Sequence, residues 1–456
     1  MLGGLDRFER IHFSGIGGIG MSALAGMCLS CGKVVTGSDQ GFSEIIEGLS
    51  DAGAGITCGG LIHDIKDTVD LLVHTPAISN DHPELLEARR MNIPVLSYPE
   101  ALGLISKEIF TVAVAGTHGK TTTTAMVAHI LENSGMDPMV IVGSMVKGGA
   151  DEKRFSNFRV GNDNCFVVEA CEYKRSFLHL YPDILVITNI EEDHLDCYKD
   201  LEDIRFAFEE MVSRVAPGGK LVCLTDDDTV RSVVGHSDLD VLNYGSKRIK
   251  MEDLMVPGEH NRNNAKAAVT VAEILGVSEV EAVKRLGSFA GTWRRFEYKG
   301  KTAGGALVFD DYAHHPAEIS ATIEAAMERF KDKRIVVVFQ PHLHSRTDFF
   351  FDDFVKALSK ADHVVLTPVC RARTEDHEPL YSSEQMASSI IAGGGGASFV
   401  GSLDGVSELV SSISDKDSIV IMMGAGDIYT ATDELLLEKV RPERYTCFKE
   451  AIVQKS

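Results

Sequence analysis

Short apolar runs alternate along the chain with longer stretches of helical periodicity. Several of these runs are continuous Val, Ile and Leu without polar alternation, which is typical of parallel strands covered by helices on both faces. The pattern predicts an α/β fold with more than one doubly wound sheet. The candidate strands are Ile11–Ser14, Thr111–Ala115, Cys165–Glu169, Ile184–Thr188, Leu221–Leu224, Ile335–Phe339, Val364–Thr367 and Ile419–Met423.

Two interruptions in this pattern predict the domain organisation. At roughly 100–200 residues per domain, the 456 residues suffice for about three domains. The stretches Ser97–Lys107 and Gly287–Thr292 look like joints, because each precedes a new group of motifs. We therefore predict domains at residues 1–107, 108–292 and 293–456.

Composition and charge exclude several classes of protein. The formal net charge of −22 argues against a nucleic-acid or anionic-membrane binder. Nine scattered cysteines indicate reduced thiols in a cytosolic protein, and we interpret Cys28 and Cys31 as part of a buried helix face. There is no signal-peptide pattern, and no apolar run approaches the ~18 residues of a membrane span. We expect a cytoplasmic protein without membrane insertion, either a monomer or a homodimer.

The first glycine-rich loop follows a predicted strand and precedes a predicted helix. It contains Gly15, Gly17, Gly18 and Gly20, and Asp39 lies 19 residues beyond the last of them. Such glycines let the backbone approach a diphosphate at a helix N-terminus, and such an acid accepts ribose hydroxyls. The motif alone leaves three alternatives open: NAD, another nucleotide such as a UDP-sugar, and plain close packing.

A second glycine-rich loop follows Thr111–Ala115 and reads Gly116-Thr117-His118-Gly119-Lys120-Thr121-Thr122. The backbone N–H groups of such a loop hold phosphate oxygens. Lys120 can reach the β- and γ-phosphates, and the Thr121 hydroxyl can ligate Mg²⁺. The loop predicts a nucleoside triphosphate site, with a structural turn as the alternative. A dehydrogenase needs one phosphate site, whereas an enzyme that uses ATP on a nucleotide-linked substrate needs two.

Two further predicted strands end in acidic residues. One ends at Glu169, and the other is followed by Glu191–Asp196, which includes His194. Because ligands lie outside the carboxyl ends of the strands in doubly wound sheets, Glu169 and His194 should converge on the second loop. They could hold Mg²⁺ there, although imidazole would also accept Mn²⁺. For Glu191–Asp196 the alternative is a charged helix start.

Together the motifs resemble the Mur ligase family of bacterial cell-wall synthesis, and the resemblance covers nearly the whole chain. It rests on GIGGIGMSALA, GTHGKTT, EACE, TNIEEDHLD, PGEHNRNNA, RRFE, DDYAHHP and QPH. It implies a UDP-sugar-binding, Rossmann-like N-terminal domain, a central P-loop ATPase-like domain with a parallel sheet, and a Rossmann-like C-terminal domain. The N-terminal motifs look like the alanine-adding branch. That branch implies ATP-dependent ligation of L-alanine to the lactyl carboxylate of UDP-N-acetylmuramate, through an acyl phosphate.

The resemblance also implies roles for individual residues of the first two domains. The first loop and Asp39 would bind the UDP moiety, and the second loop would bind ATP. Lys120 would hold phosphates, and Asn264 would face adenine. The residues around Mg²⁺ would be Thr121, Glu169 and His194.

For the C-terminal domain, the resemblance implies that Arg295 and Asp311 complete the nucleotide site. His314, His342 and Arg346 would lie near the amino acid, with Arg346 pairing with its carboxylate. An Arg suits both positions, since it neutralises a migrating phosphoryl group and matches a carboxylate bidentately. His314 could also take the amine proton, with binding or packing as the alternative role.

The chain departs from the family pattern at two places. Cys171 stands where relatives carry an aspartate, which puts the surroundings of the metal in doubt. Leu343 stands where many relatives carry an arginine, so carboxylate recognition would depend on Arg346. Several Mur ligases have a carbamylated lysine near the metal, and we expect none here.

Three rival interpretations stay open from the sequence. An NAD-dependent dehydrogenase would explain the first loop but not the GKT motif or the acids at the strand ends. A nucleotide-switched binding module would explain GKT but not a second nucleotide loop. Within the family, a relative could add a preformed peptide, or glycine or serine, because one methyl group is worth only ~1–3 kcal/mol in a pocket.

Overall fold

The computed structural model describes residues 2–59, 65, 68–147, 155–194, 196–370 and 378–436. These residues form an α/β protein with three largely parallel sheets, as predicted. They divide into two compact units. The first unit contains the described residues up to Ile249 together with Asn263–Phe289, and the second contains Lys250–Arg262 and the described residues from Ala290. The predicted division into three domains stays a prediction.

The first sheet is entirely parallel and Rossmann-like. Its strands are β1 (Arg10–Ser14), β2 (Val34–Asp39), β3 (Gly55–Cys58), β4 (Leu71–His74) and β5 (Val95–Ser97). Its helices are α1 (Ile19–Ser30), α2 (Glu44–Asp51), α3 (Pro83–Arg90) and α4 (Tyr98–Ser106). The strand order β3-β2-β1-β4-β5 reverses direction beside β1, so the loop after β1 lies at the switch point where such sheets bind ligands.

The second sheet belongs to the same unit. Its strands are β6 (Phe110–Ala115), β7 (Met139–Lys147), β8 (Phe155–Arg159), β9 (Cys165–Glu169), β10 (Ile184–Ile187), β11 (Lys220–Cys223) and β12 (Asp240–Asn243). The order is β12-β11-β10-β6-β9-β7-β8, with β8 antiparallel to β7. The helices that follow in the chain are α5 (Lys120–Asn133), α6 (Leu201–Val212), α7 (Asp228–Val234), α8 (Glu259–Ile274) and α9 (Glu279–Leu286).

The third sheet forms the core of the second unit. Its strands are β13 (Glu297–Lys301), β14 (Leu307–Asp311), β15 (Arg334–Phe339), β16 (His363–Leu366), β17 (Ala397–Phe399) and β18 (Ser418–Met423). The order is β13-β14-β18-β15-β16-β17, and only β13 runs antiparallel to its neighbour. The helices are α10 (Pro316–Arg329), α11 (His344–Phe349), α12 (Phe351–Leu358), α13 (Ser383–Ala392), α14 (Val406–Ile413) and α15 (Tyr429–Leu435).

All eight strands predicted from apolar runs are confirmed, with bounds that differ by at most one residue. The central strands are buried along their whole length, as β10 and β18 illustrate. This burial explains why they lack polar alternation.

The stretch Ser97–Lys107, which the sequence suggested as a joint, contains helix α4. A capping box starts this helix: the Ser97 hydroxyl accepts the Glu100 N–H, and the Glu100 carboxylate accepts the Ser97 N–H. Leu102 and Ile105 are buried. A Cβ on Gly103 would lie 2.5 Å from the carbonyl oxygen of His179. The segment is therefore a packed helix within the first unit.

Buried contacts connect the first two sheets. The Asn157 side-chain amide of β8 is inaccessible to solvent and donates to the Ile19 carbonyl at 2.7 Å and to the Ser22 hydroxyl at 3.1 Å. Nearby, the Phe158 ring occupies the space that a side chain on Gly26 would need. These contacts fix the start of α1, and with it the first glycine loop, against the second sheet.

The cysteines of the described residues are free thiols. Cys28 is buried in α1, where burial raises the pKa of its thiol, and Cys31 follows the last helical residue. The predicted buried helix face is confirmed for Cys28, whereas Cys31 is partly exposed and lies beyond the helix. None of the helices within the described ranges has the length and apolar character required to cross a membrane.

Candidate active site

The first glycine loop is held between β2 and β4. Gly15 has φ +81°, and a Cβ at this position would lie 2.5 Å from the Thr75 methyl group. The N–H of Gly17 donates to Asp39 Oδ2 at 2.8 Å. Gly18 is the N-cap of α1. The loop thus presents the start of a helix at the switch point of the first sheet.

Asp39 ends β2 beside this loop. Its second carboxylate oxygen accepts the backbone N–H of Gln40 at 2.8 Å. Each oxygen keeps a further lone pair for a ligand hydroxyl. The UDP-binding role given to the loop glycines and Asp39 stays a prediction, and the geometry leaves Asp39 at the position that this role requires.

The second glycine loop is closed against the segment after β10. The backbone N–H of His118 donates to Asn189 Oδ1 at 2.8 Å, and the Thr188 hydroxyl donates to the His118 carbonyl at 2.5 Å. Gly116 has φ +135°, and the Thr188 hydroxyl fills the space that a Cβ would take. Only glycine fits there, which explains the residue type at this position.

Lys120, the first residue of α5, is held by the loop and by Glu172. Its ammonium donates to the carbonyls of Gly116 at 2.6 Å and Thr117 at 2.9 Å. It also lies 2.8 Å from Glu172 Oε2 and 3.0 Å from Oε1. Burial alone would lower the pKa of Lys120, but the charge and hydrogen bond of Glu172, together with the charge of Glu169, hold the pKa above its usual value. The lysine is therefore charged at neutral pH.

Glu172 is buried, and its carboxylate lies close to Lys120 and His194. Burial alone would raise the pKa of its carboxyl, but the charge of Lys120 and the hydrogen bond from His194 hold it below its usual range. The His194 Nε2 lies 3.5 Å from Glu172 Oε1. The sequence analysis did not predict the pairing of Glu172 with Lys120. Its position three residues after Glu169, at the same strand end, was the available signal.

Glu169 contacts helix α5 and strand β7. Its Oε1 accepts the Thr121 hydroxyl at 3.0 Å, and its Oε2 accepts the Gly143 N–H at 2.8 Å. The hydroxyl and the carboxylate are hard oxygen ligands, and His194 lies beside Glu172. The oxygen pair of Thr121 and Glu169 fits Mg²⁺. The metal-binding role of Thr121, Glu169 and His194 stays a prediction.

The alternative of a charged helix start at Glu191–Asp196 is wrong for the described residues. Glu191–His194 and Asp196 are not helical, and the next helix, α6, begins only at Leu201. His194 has φ +54°, an uncommon backbone conformation for a residue with a side chain. Its ring lies 5.0 Å from the ring of Tyr173.

Tyr98 packs against the first glycine loop. A Cβ on Gly20 would meet the Tyr98 ring at 2.7 Å, so this tyrosine packs directly against the first loop. Burial raises the pKa of Tyr98, and the charge of Glu169 adds to the effect. The phenol is therefore within electrostatic range of the acids at the second loop. Sequence reasoning missed this residue.

Asn264 of α8 packs against the second loop. The Asn264 amide oxygen occupies the space that a side chain on Gly119 would need, and Gly119 has φ +81°. The amide is thus near the residue that caps α5. The predicted contact of Asn264 with adenine is untested.

In the second unit, the neighbouring residues Arg294 and Arg295 have different environments. Arg294 is 2% exposed, and its guanidinium donates to Asp310 at 3.0 Å and to the Gly424 carbonyl at 2.6 Å. The Arg295 guanidinium lies 3.6 Å from Glu318 and over the ring of Tyr312. Arg294 holds the fold together, whereas Arg295 is partly accessible.

Asp311 and His314 follow the same edge of the third sheet. Asp311 accepts the backbone N–H groups of Phe296 at 2.8 Å and Ala313 at 2.7 Å. Burial raises its pKa to about 6, against the opposing charge of Arg295. The His314 Nδ1 lies 3.3 Å from Glu318. Glu318 therefore contacts both Arg295 and His314, and it was not predicted.

His342 and Arg346 come from the loop after β15 and from α11. The rings of His314 and His342 are 6.1 Å apart, and Arg346 is half-buried. Leu343, the departure from the family pattern, has φ +67° and a buried side chain. The predicted contact of Arg346 with an amino-acid carboxylate is untested.

Three family descriptions match successive parts of the chain. Residues 10–109 match the Mur ligase family catalytic domain. Residues 114–272 match the Mur ligase middle domain, and residues 294–426 match the Mur ligase glutamate ligase domain.

Curated relatives match over nearly the full length. A UDP-N-acetylmuramate–L-alanine ligase of Clostridium kluyveri is 39% identical over 450 residues, which cover 92% of this chain and 96% of the relative. A ligase of the same name from Caldanaerobacter subterraneus is 38% identical over 464 residues, covering 95% and 98%.

Solved structures match as well. The UDP-N-acetylmuramate–alanine ligase of Thermotoga maritima superimposes with a TM-score of 0.77 at 30% identity, covering 93% of this chain and 98% of the other. A murein peptide ligase of Psychrobacter arcticus gives a TM-score of 0.67 at 25% identity, covering 94% and 98%.

Proposed function

The chain belongs to the Mur ligase family, and from that premise we propose that it joins L-alanine to the lactyl carboxylate of UDP-N-acetylmuramate. In this reaction of peptidoglycan synthesis, ATP is converted to ADP and phosphate. The observation that carries the proposal is the presence of two glycine loops in one compact unit, each at the carboxyl end of a strand with parallel neighbours. One loop serves a nucleotide-linked substrate and the other serves ATP. We also propose that the protein acts in the cytoplasm.

The first loop binds the UDP moiety. The backbone N–H groups at the start of α1 face the diphosphate, which the positive end of the helix dipole favours. Asp39 already orients the loop through Gly17, and its remaining lone pairs accept the ribose hydroxyls. The lactyl carboxylate of the substrate would then react with ATP held at the second loop.

The second loop binds the phosphates of ATP. Glu172 holds the Lys120 ammonium beside the loop. When ATP binds, this ammonium donates to phosphate oxygens in place of Glu172. Thr121, Glu169 and His194 would hold Mg²⁺, which when bound neutralises phosphate charge. Asn264 lies beside the loop, and its amide can donate to and accept from an adenine edge.

The chemistry has two steps. First, a lactyl carboxylate oxygen attacks the γ-phosphorus of ATP, the bond to the bridging oxygen breaks, and ADP leaves. Lys120 stabilises the charge that develops on the phosphoryl oxygens. Second, the neutral amine of L-alanine attacks the acyl carbon. Phosphate leaves, and the nitrogen loses a proton as the amide forms.

The second unit supplies the residues of the amino-acid step. Arg295 neutralises charge on the nucleotide, and Asp311 completes that site. Arg346 pairs with the alanine carboxylate, since its guanidinium matches carboxylate geometry. His314 lies near the amine, where Glu318 orients its ring. Water must be excluded from the acyl phosphate, which calls for closure during turnover.

Phosphate release with a panel of amino acids tests the proposal. Purified protein, UDP-N-acetylmuramate and ATP are incubated with each of the twenty amino acids and with an L-alanyl peptide. L-Alanine should give the highest rate and a product whose mass equals that of the amide. A preference for the peptide would indicate a murein peptide ligase instead. An NADH fluorescence titration without signal would dispose of the dehydrogenase alternative.

A further inference from the structure

A fully buried carboxylate lies under the first glycine loop and has no part in the proposed mechanism. It belongs to Glu84, which follows Pro83 in the first turn of α3 and is 0% exposed. A buried carboxylate is costly unless it is charge-paired and hydrogen-bonded. Its partners therefore indicate what it stabilises.

Two of these partners are serines, each directly before a residue that we predict to bind the UDP moiety. The hydroxyls of Ser14 and Ser38 both donate to Glu84 Oε2, at 2.5 Å and 2.8 Å. The two serines face each other as register partners of β1 and β2. Ser14 directly precedes Gly15, and Ser38 directly precedes Asp39. One carboxylate oxygen thus joins the ends of both strands.

The other carboxylate oxygen faces a histidine on the same side of the sheet. His12 Nε2 lies 3.4 Å from Glu84 Oε1, and His12 Nδ1 lies 2.9 Å from the Thr36 hydroxyl. Burial alone would raise the pKa of Glu84, but the hydrogen bonds from His12, Ser14 and Ser38 hold it below its usual value. Glu84 is therefore a charged group at neutral pH.

The loop depends on the backbone of Ser38 as well. The Ser38 carbonyl accepts the N–H of Gly15 at 2.8 Å and the N–H of Ile16 at 3.0 Å. A shift of Ser38 would move both the loop and Asp39. Stability alone does not require a charge here, because replacing buried polar groups by well-packed apolar ones is often neutral.

We propose that Glu84 is a positioning residue for the nucleotide-sugar substrate: by fixing Ser14 and Ser38, it sets the distance between the first glycine loop and Asp39. The inference rests on the proposed function. Glu84 is fully buried, so it acts on the substrate site through Ser14 and Ser38. Its loss should weaken UDP-sugar binding and leave the ATP site unaffected.

The test compares KM values in a variant with a neutral side chain of the same shape. Glu84→Gln should raise the KM for UDP-N-acetylmuramate about ten-fold, the loss expected for hydrogen bonds to a charged group. The KM for ATP and kcat should stay within about two-fold of wild type. Glu87→Gln is the matched control, since Glu87 lies on the same helix, partly exposed and paired with Arg90.

A double-mutant cycle distinguishes a positioning role of Glu84 from a general loss of structure. Ser38→Ala should raise the same KM in the wild type but add little in the Glu84→Gln background, because both changes break one contact. If Glu84→Gln does not fold, Ser38→Ala and Ser14→Ala carry the test alone. Unchanged KM values in the folded variants, or equal increases for ATP and UDP-N-acetylmuramate, would overturn the inference. Wild type is assayed first, so inactivity there would point to the proposed function and not to Glu84.

Discussion

The ammonium of Lys120 lies 2.8 Å from the carboxylate of Glu172, so the lysine of the second glycine loop has an anionic partner. Both groups are buried or nearly so, and each shifts the pKa of the other towards its charged form. The two loop carbonyls of Gly116 and Thr117 also accept from this ammonium, so three groups hold it beside the loop.

Replacing Lys120 by Ala should slow ADP formation about 100- to 1,000-fold, the loss expected for a donor aimed at developing charge. UDP-sugar binding should be nearly unchanged, because the first loop is a separate structure. Kinetics of ADP release and calorimetry with UDP-N-acetylmuramate measure the two effects. Lys220→Ala, which removes an exposed lysine of β11 paired with Asp240, is the control. Retained turnover in Lys120→Ala would refute the role of the second loop.

Breaking the buried pair from one side should destabilise the protein. Glu172→Gln leaves the Lys120 ammonium without its counter-ion and should cost about 3–5 kcal/mol of unfolding free energy. The double variant Lys120→Met, Glu172→Gln removes both charges and should recover part of this loss. Urea unfolding of the wild type and the two variants checks the prediction. A double variant less stable than Glu172→Gln would mean that the pair does not dominate the stability of this region.

The glycines of the first loop should separate into two kinds. A Cβ on Gly18 would have only ordinary contacts, the nearest at 3.7 Å, whereas a Cβ on Gly20 would meet the Tyr98 ring at 2.7 Å. Gly20→Ala should therefore lower the melting temperature by overpacking, at a cost of about 1–3 kcal/mol. Gly18→Ala should keep its stability but raise the KM for the UDP-sugar. If Gly18→Ala binds substrate like wild type, the loop serves packing only.

Substitution of the adjacent residues Arg294 and Arg295 should have different effects, one on stability and the other on activity. Arg294→Ala leaves the buried Asp310 carboxylate unpaired and should destabilise the protein by about 3–5 kcal/mol. Arg295→Ala should fold normally and lose kcat, because this guanidinium is partly accessible and lies at the predicted nucleotide-binding position, 3.6 Å from Glu318. Thermal melts measure the stability of both variants, and steady-state kinetics measure their kcat. Normal kcat in Arg295→Ala would remove this residue from the proposed site.

Asp311 should make stability depend on pH. Burial raises its folded-state pKa to about 6, so the folded state binds the proton more tightly than the unfolded chain. Its contribution is present below the unfolded pKa and is lost as the pH rises through about 6. The difference in unfolding free energy between Asp311→Asn and the wild type should therefore shift in favour of the variant by up to about 3 kcal/mol from pH 4 to pH 8. Denaturant unfolding at both pH values measures the difference, and a constant difference would contradict the burial argument.

The strands could be predicted because burial on both faces of a parallel sheet leaves a direct trace in the sequence. The glycine loops could also be predicted from the sequence, since the positive φ angles at Gly15 and Gly119 require glycine. The segment predicted as a joint contains helix α4, whereas its role as a domain boundary stays a prediction. The start of this helix is encoded in the capping box of Ser97 and Glu100, which the sequence analysis did not use.

The partners of the site residues could not be predicted. Glu172 meets Lys120 across 52 positions of the chain, and Glu84 meets Ser14 across 70. Such contacts arise from sheet order and strand register, which local periodicity does not encode. The turn at His194 was missed for a related reason: acids suit a helix start, but here they surround a left-handed residue held beside Glu172.

Omitting the sugar substrate is the most direct test of the claim that both glycine loops serve one reaction. ADP formation is followed in wild-type protein with ATP, Mg²⁺ and L-alanine, with and without UDP-N-acetylmuramate. The account predicts sustained ADP formation only when the sugar nucleotide is present. Equal ADP turnover in its absence would show that the second loop works independently of the first, and would contradict the account.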